Sequence, residues 1–411
     1  MQYLNLTSND ALEIITKNLK NIFLTGPPGS GKSYLTNKYI EYWKKKYMNI
    51  AITASTGIAS KIINGTTIHS WSGIGIINEY DDFNTVLKKV LDNKKKVKEW
   101  KKTDILIIDE ISLINIRTLD ILNYIGKHIR KNDQSFGGIK LFIVGDFFQL
   151  PPVEGEYCFK YEEWENMFDC GINLTENHRS SDNKLNKILY KIRKGRELSD
   201  KSNNILKSRI SNEEYYPLLV PLRSMARKIN TEKLKENKNK EYKYIATYHY
   251  DKDKHFFKDI INKNSPLEEE LILKVGSPVI NLVNDHSRRL LNGMVGTIID
   301  FTPDGPVVRF GQKNYLIEKH IWEKKIEKNK SIMMEQYPLL LAYSITIHRS
   351  QGQTLSQASM VLDHNVWEKG QGYVALSRLQ NLNGLHLLKY NSNIFKVDKH
   401  VKKYYKKWNL K

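Results

Sequence analysis

The chain has 411 residues, which is enough for two or three domains of ordinary size and too many for one hydrophobic core. Lysine and arginine total 65 against 45 aspartate and glutamate residues, so the formal net charge is +20. This surplus indicates a polyanionic partner, either nucleic acid or an acidic membrane surface, with a role in solubility alone as the alternative. Hydrophobic residues make up 40% of the chain, which excludes wholesale disorder.

Sequence signals for membrane insertion, secretion or disulfide formation are not evident. No apolar stretch approaches the roughly 18 residues that a membrane-spanning helix needs. Residues 1–10 have neither a basic region nor an apolar signal core, so we expect no secretion signal. Cys158 and Cys170 are too few for a disulfide framework or a zinc site. We therefore expect an intracellular protein with no membrane partner, in the cytoplasm or nucleoid, or in the nucleus or a viral factory of another type of host.

Residues 1–150 alternate short apolar runs with helical patterns, which is typical of a parallel sheet flanked by helices. Residues 71–102 lie between the second and third runs and end in a lysine-rich stretch. This segment is too polar for a core, so we predict an insertion on the solvent-facing or nucleic-acid-facing side. The apolar runs of the predicted sheet are residues 21–25, 50–53, 104–108 and 140–144.

A second α/β block begins near Leu174. Within it, residues 274–310 alternate short apolar runs with glycines, which predicts a small inserted antiparallel barrel. The fold class that follows is α/β, with two parallel-sheet blocks and a small β insertion in the second. Helical patterns cover residues 183–196 and 225–235, a strand is predicted at 218–221, and alternation of strands and helices returns at 338–346 and 373–378.

A glycine-rich segment follows the first apolar run and precedes a helical stretch, which is the context that a phosphate-binding loop requires. Its pattern, G-x-x-x-x-G-K-[ST], lets backbone N–H groups close around phosphate oxygens at a helix N-terminus. Lys32 would reach the β- and γ-phosphates, and the Ser33 hydroxyl would ligate Mg²⁺. The sequence therefore predicts a nucleoside triphosphate site formed by Gly26, Pro28, Gly29, Ser30, Gly31, Lys32 and Ser33.

Two carboxylates follow the run at residues 104–108, where a buried parallel strand would deliver them to the edge of the sheet. Asp109 would hold Mg²⁺, largely through water, and Glu110 would polarise the water that attacks the γ-phosphate. The amide of Gln149, in the loop after residues 140–144, could contact both the γ-phosphate and this water. The Asp-Glu pair favours ATP hydrolysis over a small-molecule kinase, which must exclude water.

Segments spread along the chain resemble the motifs of superfamily 1 helicases. Residues 26–33, 107–112 and 145–153 look like motifs I, II and III. Residues 119–153 resemble the signature of the petite-integration-frequency (Pif) DNA helicases, which belong to superfamily 1B. The resemblance covers residues 6–388 and implies two RecA-like domains with the P-loop NTPase fold. Domain 1A would span residues 1–173 with a 1B insertion at about 71–102, domain 2A would span 174–289 and 337–411, and an SH3-like 2B insertion would span 290–336.

The same resemblance extends to three motifs in the second block. Residues 174–179, 346–355 and 372–378 look like motifs IV, V and VI. In the family, arginines of motifs IV and VI reach the nucleotide from the second domain, and such arginines stabilise charge on the transferring phosphoryl group. The resemblance therefore implies a catalytic set of Lys32, Asp109, Glu110, Gln149, Arg179 and Arg378, with Gly352 and Tyr373 added to ATP binding.

Two further regions concern the base of the nucleotide and the nucleic acid strand. The family usually reads adenine with a glutamine before the phosphate loop, and here Asn9 is the best-placed substitute. Residues 54–59 and 66–70 resemble motif Ia and a T-x-H element, which line the single-strand track in the family. From the residues alone, packing in the protein interior remains an alternative for the ring of Phe148 and for both histidines of the track. The predicted contacts with single-stranded DNA are Ser55, Thr56, Gly57, Thr67, His69, Phe148, His348 and Ser350.

The motifs and the resemblance predict an ATP- and Mg²⁺-dependent DNA helicase, and the resemblance implies 5′-to-3′ translocation on single-stranded DNA. It would act as a monomer on duplex or G-quadruplex junctions, or on RNA–DNA hybrids, in replication, repair, recombination or telomere maintenance. Contacts with phosphates should dominate, so that binding depends on salt and little on sequence. The alternatives are an ATPase switch that binds single strands without unwinding, and an RNA helicase of the same superfamily.

Overall fold

The N-terminal half contains one parallel sheet in the computed structural model of the chain, which describes residues 1–75, 77, 81–249, 268–283, 285, 290, 293–327 and 330–408. Its strands are β1 (Gln2–Leu6), β2 (Ile22–Thr25), β3 (Ile50–Ala54), β4 (Thr66–Thr67), β5 (Ile105–Asp109), β6 (Lys140–Val144) and β7 (Cys170–Leu174). The order across the sheet is β1-β7-β2-β6-β5-β3-β4, and every pair is parallel. The four predicted apolar runs are confirmed as strands, with each end within one residue of the prediction.

Apolar cores lie against both faces of this sheet. Along β5, Leu106 and Ile108 belong to one core, whereas Ile105 and Ile107 belong to another, and all four side chains are fully buried. Burial on both faces explains why this parallel strand is a continuous apolar run with no alternation. The helices of this half are α1 (Ser8–Lys17), α2 (Lys32–Lys45), α3 (Gly57–Ile62), α4 (Ile68–Ser72), α5 (Phe83–Leu91), α6 (Lys94–Lys102) and α7 (Ile116–Arg130).

Residues 71–102 contribute an apolar face to the core, so the expectation that this segment is too polar for a core is wrong. The rings of Trp71 and Trp100 pack with their centroids 4.5 Å apart, and Trp100 Nε1 donates a hydrogen bond of 3.0 Å to the carbonyl of Ser72. Val86 and Val90, one helical turn apart on α5, are buried in the same core. The high lysine content concealed this pattern because most lysines of α6 lie on its exposed side.

The C-terminal half contains a second parallel sheet. Its strands and those of the smaller sheets are β8 (Leu218–Val220), β9 (Glu241–Ile245), β10 (Thr247–His249), β11 (Glu270–Lys274), β12 (Pro278–Asn281), β13 (Val295–Thr302), β14 (Gly305–Phe310), β15 (Lys313–Leu316), β16 (His320–Glu327), β17 (Lys330–Gln336), β18 (Leu339–Leu341), β19 (Ser344–Thr346), β20 (Ala358–Leu362) and β21 (Leu385–Tyr390). The parallel sheet has the order β19-β8-β20-β21. Its helices are α8 (Asn183–Arg193), α9 (Asp200–Lys207), α10 (Arg223–Glu236), α11 (Gln371–Leu376) and α12 (Lys399–Lys406).

The predicted β insertion is antiparallel, as expected. Strands β15-β14-β13-β12-β18 form one antiparallel sheet, β10-β17-β16 form a second, and β11 pairs with β9. The first of these sheets begins at Pro278 and includes Leu339–Leu341, so it extends past residues 290–336 on both sides. Its interior contains Ile298 and Val308, which are fully buried. The SH3-like character of this unit and the domain bounds stay predictions, and parts of the insertion, such as residues 286–289, lie outside the described residues.

The C-terminal helix α12 packs against the first sheet, although the predicted bounds assign it to the second block. Trp408 lies edge-on to Phe23 of β2 at a centroid distance of 5.8 Å, and its carbonyl accepts a hydrogen bond of 2.9 Å from Asn5 Nδ2. Trp164 Nε1 donates a hydrogen bond of 3.0 Å to the hydroxyl of Tyr404. Helix α12 and Trp408 are therefore built into the core of the N-terminal half. Among the described residues, no helix has both the length and the apolar character needed to cross a bilayer.

Candidate ATP and DNA site

Strand order places three of the predicted motifs at one edge of the first sheet. β6 lies between β2 and β5, and parallel strands bring their carboxyl ends to the same side. The phosphate loop (residues 26–33) follows β2, the motif III loop (residues 145–153) follows β6, and Asp109 ends β5. The N–H of Gly145 donates a hydrogen bond of 3.0 Å to the carbonyl of Leu24, which joins the first two strand ends. This edge is where ligands bind in open parallel α/β sheets.

The phosphate loop is folded around its own lysine. Lys32 Nζ donates hydrogen bonds of 2.7 Å to the carbonyl of Gly26 and 2.9 Å to that of Pro27. Gly29 and Gly31 have φ values of +83° and +89°, a region that suits glycine, and Gly31 is the N-cap of α2. Burial lowers the pKa of Lys32 to about 8, against the opposing attraction of Asp146 and Glu110. The loop therefore concentrates a lysine and a helix N-terminus in one partly desolvated place, which favours an anion.

The two carboxylates after β5 are separated by a turn of the backbone. Glu110 has φ 52° and ψ 47°, in the left-handed region, and its N–H donates a hydrogen bond of 2.8 Å to Asp109 Oδ1. Burial raises the pKa of Asp109, and the nearby charge of Glu110 raises it further. Gln351 of the second block donates a hydrogen bond of 3.3 Å from Nε2 to Glu110 Oε2. Gln351 belongs to the motif V segment at 346–355, but the sequence did not predict its contact with Glu110.

The motif III loop is held by a buried arginine that the sequence analysis missed. Arg193, at the end of α8, donates from Nε and Nη2 to the two carboxylate oxygens of Asp146, both at 3.1 Å. Asp146 is fully buried, and its carbonyl accepts a hydrogen bond of 3.0 Å from the N–H of Gln149. Gln149 itself is 4% exposed. The sequence shows an aspartate in the loop at 145–146 and an arginine at the end of the helical stretch at 183–196. No local pattern indicates that these two residues form an ion pair.

The predicted arginines of motifs IV and VI meet at Ser377. Arg179 Nη1 donates a hydrogen bond of 2.8 Å to the Ser377 carbonyl, and Arg378 Nη2 donates one of 2.9 Å to its hydroxyl. Burial and the neighbouring Arg179 lower the pKa of Arg378 to about 9, whereas Glu110 opposes this shift. Arg179 also lies against the phosphate loop, because a Cβ added to Gly29 would be 2.4 Å from Arg179 Cβ. The structure therefore brings Arg179 to the phosphate loop, and Arg378 close to both Arg179 and Glu110.

Residues beside the phosphate loop differ in part from those predicted. Asn9 is exposed, and its neighbour Ser8 instead contacts the loop region, with Oγ 3.0 Å from His178 Nε2 and 3.4 Å from the Ser30 carbonyl. Glu176 Oε2 accepts a hydrogen bond of 3.0 Å from the Ser8 N–H. Ser8, Glu176 and His178 were therefore missed as neighbours of this loop, and the role of Asn9 stays a prediction.

The remaining residues predicted to bind the nucleotide differ in how deeply their side chains are buried. Tyr373 is 2% exposed, and its hydroxyl has no hydrogen-bond partner among the described residues. Gly352 has φ +82° and faces α3, since an added Cβ would lie 3.2 Å from Ile62 Cδ1. Pro28 and Ser30 are buried in the loop, whereas Ser33 is exposed at the start of α2. Tyr373 is thus inaccessible in this conformation, whereas Ser33 is accessible.

Five of the predicted DNA contacts lie together beyond β3 and β4. These strands pair in parallel, with Ala54 opposite Thr67, so their carboxyl ends share one edge. Thr67 Oγ1 accepts a hydrogen bond of 3.2 Å from the Ser70 N–H and thereby caps α4. An added Cβ at Gly57 would meet nothing within 4 Å, so the backbone there is open to a ligand. The five residues at this edge are Ser55, Thr56, Gly57, Thr67 and His69.

Two other residues predicted to contact DNA, Phe148 and Ser350, have buried side chains. Phe148 is 5% exposed and stacks on Tyr405, with ring centroids 4.6 Å apart and planes 15° apart. Ser350 is fully buried, and its hydroxyl donates a hydrogen bond of 2.8 Å to the carbonyl of Ile347. Both side chains make contacts inside the protein in this conformation, and their contacts with DNA stay predictions. His348 is partly buried. Burial lowers its pKa, and the charge of Arg223 lowers the pKa further.

Comparison with known proteins places these features in a family. A model of the PIF1-like helicases matches residues 7–213. The ATP-dependent DNA helicase Pif1 of Bdellovibrio bacteriovorus is 36% identical over 400 residues, which cover 95% of this chain and 89% of that protein. The crystal structure of Pif1 helicase from Candida albicans has a TM-score of 0.89 at 30% identity and covers 99% of this chain and 100% of that chain. The structure of Bacteroides Pif1 bound to single-stranded DNA has a TM-score of 0.78 at 26% identity and covers 98% and 97%. The chain belongs to the PIF1-like helicase family.

Proposed function

We propose that this chain is an ATP-dependent DNA helicase that moves along single-stranded DNA and separates duplex. One observation carries the proposal: groups from both halves of the chain converge on one site. Lys32 and Glu110 lie just beyond strands of the first parallel sheet. From the second α/β block, Gln351 donates a hydrogen bond to Glu110, and Arg179 lies against Gly29 of the phosphate loop. A site completed by two halves can couple nucleotide turnover to their relative movement.

Each of these residues would have a separate role in ATP hydrolysis. Lys32 would exchange its bonds to the loop carbonyls for bonds to the β- and γ-phosphates, since both sets of oxygens accept from the same ammonium group. Glu110 would orient and polarise the attacking water, with its carboxylate held by Gln351. Arg179 and Arg378 would stabilise the charge that spreads over the γ-phosphoryl oxygens in the transition state. Gln149 lies in the loop between these groups, where it would respond to the γ-phosphate.

The predicted Mg²⁺ fits the donor set at the end of β5. Ser33 is exposed at the start of α2, which follows β2, and Asp109 ends β5, at the same edge of the sheet with β6 between the two strands. Oxygen donors of this type, completed by water and phosphate oxygens, are those that Mg²⁺ prefers. Ser33 and Asp109 would hold the ion, which would neutralise negative charge on the triphosphate.

A route for the DNA strand is supported by the edge beyond β3 and β4. Ser55 connects this edge to the ATP site, because its N–H donates a hydrogen bond of 3.0 Å to the carbonyl of Asp109. A strand that rests on the open backbone at Gly57 would therefore lie next to the segment that carries the catalytic carboxylates. The net charge of +20 favours contacts with phosphates, which carry no sequence information.

The nucleic acid partner is proposed from two solved structures of related helicases. One is Bacteroides Pif1 in complex with ADP-AlF3 and single-stranded DNA, and another concerns unwinding at forked duplex DNA by two coordinating Pif1 helicases. We infer that single-stranded DNA and forked duplex are the partners of this chain. Action as a monomer and action on G-quadruplexes or RNA–DNA hybrids stay predictions, as does 5′-to-3′ movement.

A strand-displacement assay with labelled duplexes tests the proposal. Otherwise identical DNA duplexes would carry a 5′ or a 3′ single-stranded tail, and matched RNA duplexes would carry the same tails. We expect ATP-dependent opening of the 5′-tailed DNA. ATPase activity stimulated by DNA without strand displacement would instead identify a switch, and opening of RNA alone would identify an RNA helicase. Opening of only the 3′-tailed DNA would contradict the proposed direction.

A further inference from the structure

The C-terminal helix α12 supplies a buried hydroxyl group behind the ATP site. Tyr405 is 2% exposed, and its hydroxyl oxygen lies 2.7 Å from Thr25 Oγ1. The same oxygen accepts a hydrogen bond of 3.3 Å from the N–H of Phe147. Thr25 is the last residue of β2 and directly precedes Gly26, whereas Phe147 lies in the motif III loop. One hydroxyl therefore joins the strand end that enters the phosphate loop to the loop that carries Gln149.

The ring of Tyr405 makes a second connection to the motif III loop. It stacks on Phe148 with centroids 4.6 Å apart, and the guanidinium carbon of Arg193 lies 4.7 Å from the Phe148 centroid and 5.7 Å from that of Tyr405. Arg193 in turn binds both carboxylate oxygens of Asp146. Contacts from α8 and α12, far apart in the chain, thus hold adjacent residues of one loop.

We propose that Tyr405 is a positioning residue for ATP hydrolysis, which sets Gln149 relative to the phosphate loop through its hydroxyl group. The inference rests on the proposed ATPase function of the chain. Gly26, the residue after Thr25, begins the phosphate loop that ends in Lys32 and Ser33, so a shift of the β2 end shifts this loop as well. Small misplacements of reacting groups lower the rate of a chemical step more than they weaken binding of the ground state.

The decisive variant is Tyr405→Phe, which removes the hydroxyl and keeps the stacked ring. We expect kcat of the DNA-stimulated ATPase to fall about tenfold, with KM for ATP and affinity for single-stranded DNA changed less than about twofold. Tyr404→Phe is the matched control. Tyr404 is a buried tyrosine of the same helix whose hydroxyl accepts a hydrogen bond of 3.0 Å from Trp164 Nε1. Its ring packs against Phe147 at a centroid distance of 5.7 Å, and Tyr404→Phe keeps this ring while removing a hydroxyl that bonds to neither loop.

Substitutions of Thr25 test whether the hydroxyl acts through this residue. Thr25→Ser keeps a hydroxyl at the hydrogen-bonding position and should retain most of kcat, whereas Thr25→Val should lower it. The double variant Thr25→Val with Tyr405→Phe should lose less than the product of the single losses, because both remove the same bond. Melting temperatures of Tyr405→Phe and Tyr404→Phe, measured together, separate positioning from general destabilisation.

The outcomes distinguish this inference from the proposed function. Wild-type kcat in Tyr405→Phe, or an equal fall in Tyr404→Phe, would reject the positioning role while the helicase activity stands. A fall in kcat accompanied by an equal weakening of ATP binding would also reject it, since that pattern indicates damage to the loop as a whole. A wild-type protein whose ATPase does not respond to DNA would reject the proposed function itself, and the inference with it.

Discussion

Gln351 donates a hydrogen bond of 3.3 Å from its side-chain amide to the carboxylate of Glu110, and so joins the second parallel sheet to the proposed water-activating base of the first. Gln351 is 8% exposed, in the loop that follows β19. The left-handed backbone of Glu110 presents its carboxylate toward this amide. The orientation of the base therefore depends on the position of the second half of the chain.

Replacing Gln351 by Ala should lower kcat of the DNA-stimulated ATPase about tenfold, because the Glu110 carboxylate loses its orienting donor. Steady-state hydrolysis at saturating ATP and single-stranded DNA measures the effect. Gln353→Ala is the control, since the Gln353 amide in the same loop donates to the carbonyl of Gly293 at 3.2 Å and does not contact Glu110. Equal activity of the two variants would contradict the orienting role.

Glu110→Gln should bind ATP and single-stranded DNA normally yet hydrolyse ATP at least about a hundredfold more slowly, because only the base is lost. Lys32→Ala should instead weaken ATP binding, because it removes the cation that faces the phosphates. Fluorescent-nucleotide binding and single-turnover hydrolysis distinguish the two. Normal unwinding by either variant would remove this site from the mechanism.

ATPase activity should be low without DNA and rise strongly when single-stranded DNA is added. In the structure, the Arg378 side chain donates to the carbonyls of Val374 and Gln353 at 2.9 and 3.2 Å, so these bonds must rearrange before it reaches a phosphate. We expect binding of the strand to drive that rearrangement. The same turnover rate with and without a long single strand would exclude coupling of this kind.

Gly370→Ala should lower ATPase activity because no side chain fits where α11 meets the motif III loop. Gly370 has φ +82°, and an added Cβ would lie 2.4 Å from the carbonyl oxygen of Gln149. Gly311→Ala is a matched control, since Gly311 has φ +60° with nothing within 4 Å of its added Cβ. Both variants place alanine at a positive φ, so both have backbone strain. A loss of activity in Gly370→Ala alone would therefore result from the contact with Gln149. Similar losses in both would attribute the effect to strain alone.

Arg193→Ala should reduce the free energy of unfolding by about 3–5 kcal/mol, because it leaves the carboxylate of Asp146 buried without its partner. Arg193 and Asp146 are 7% and 0% exposed. Urea denaturation followed by circular dichroism measures the loss. Arg196→Ala, at an exposed arginine just beyond the same helix, should change stability by less than about 0.5 kcal/mol. A loss for Arg193→Ala as small as that of the control would show that the pair is not effectively buried.

The local segments of the ATP site could be predicted from the sequence. A phosphate loop needs glycines, a lysine and a hydroxyl at fixed spacing between a strand and a helix, so its pattern is complete within residues 26–33. The same is true of Asp109 and Glu110, which follow a run buried on both faces. Parallel strands also have their carboxyl ends on one side, which is why these motifs were expected at one edge.

Contacts between distant segments were decided only by the tertiary structure. The aromatic ring of Phe148 suits either a DNA base or a core, and the arrival of Tyr405 from the C-terminal helix determined that it is buried. Arg193 and Gln351 have no local pattern that relates them to Asp146 and Glu110, because their partners lie far away along the chain. Spacing in sequence encodes the period of a helix or strand and the shape of a loop. Which side chains from remote segments meet depends on how the sheets and helices pack, and that packing determined the partners of Glu110 and Arg179.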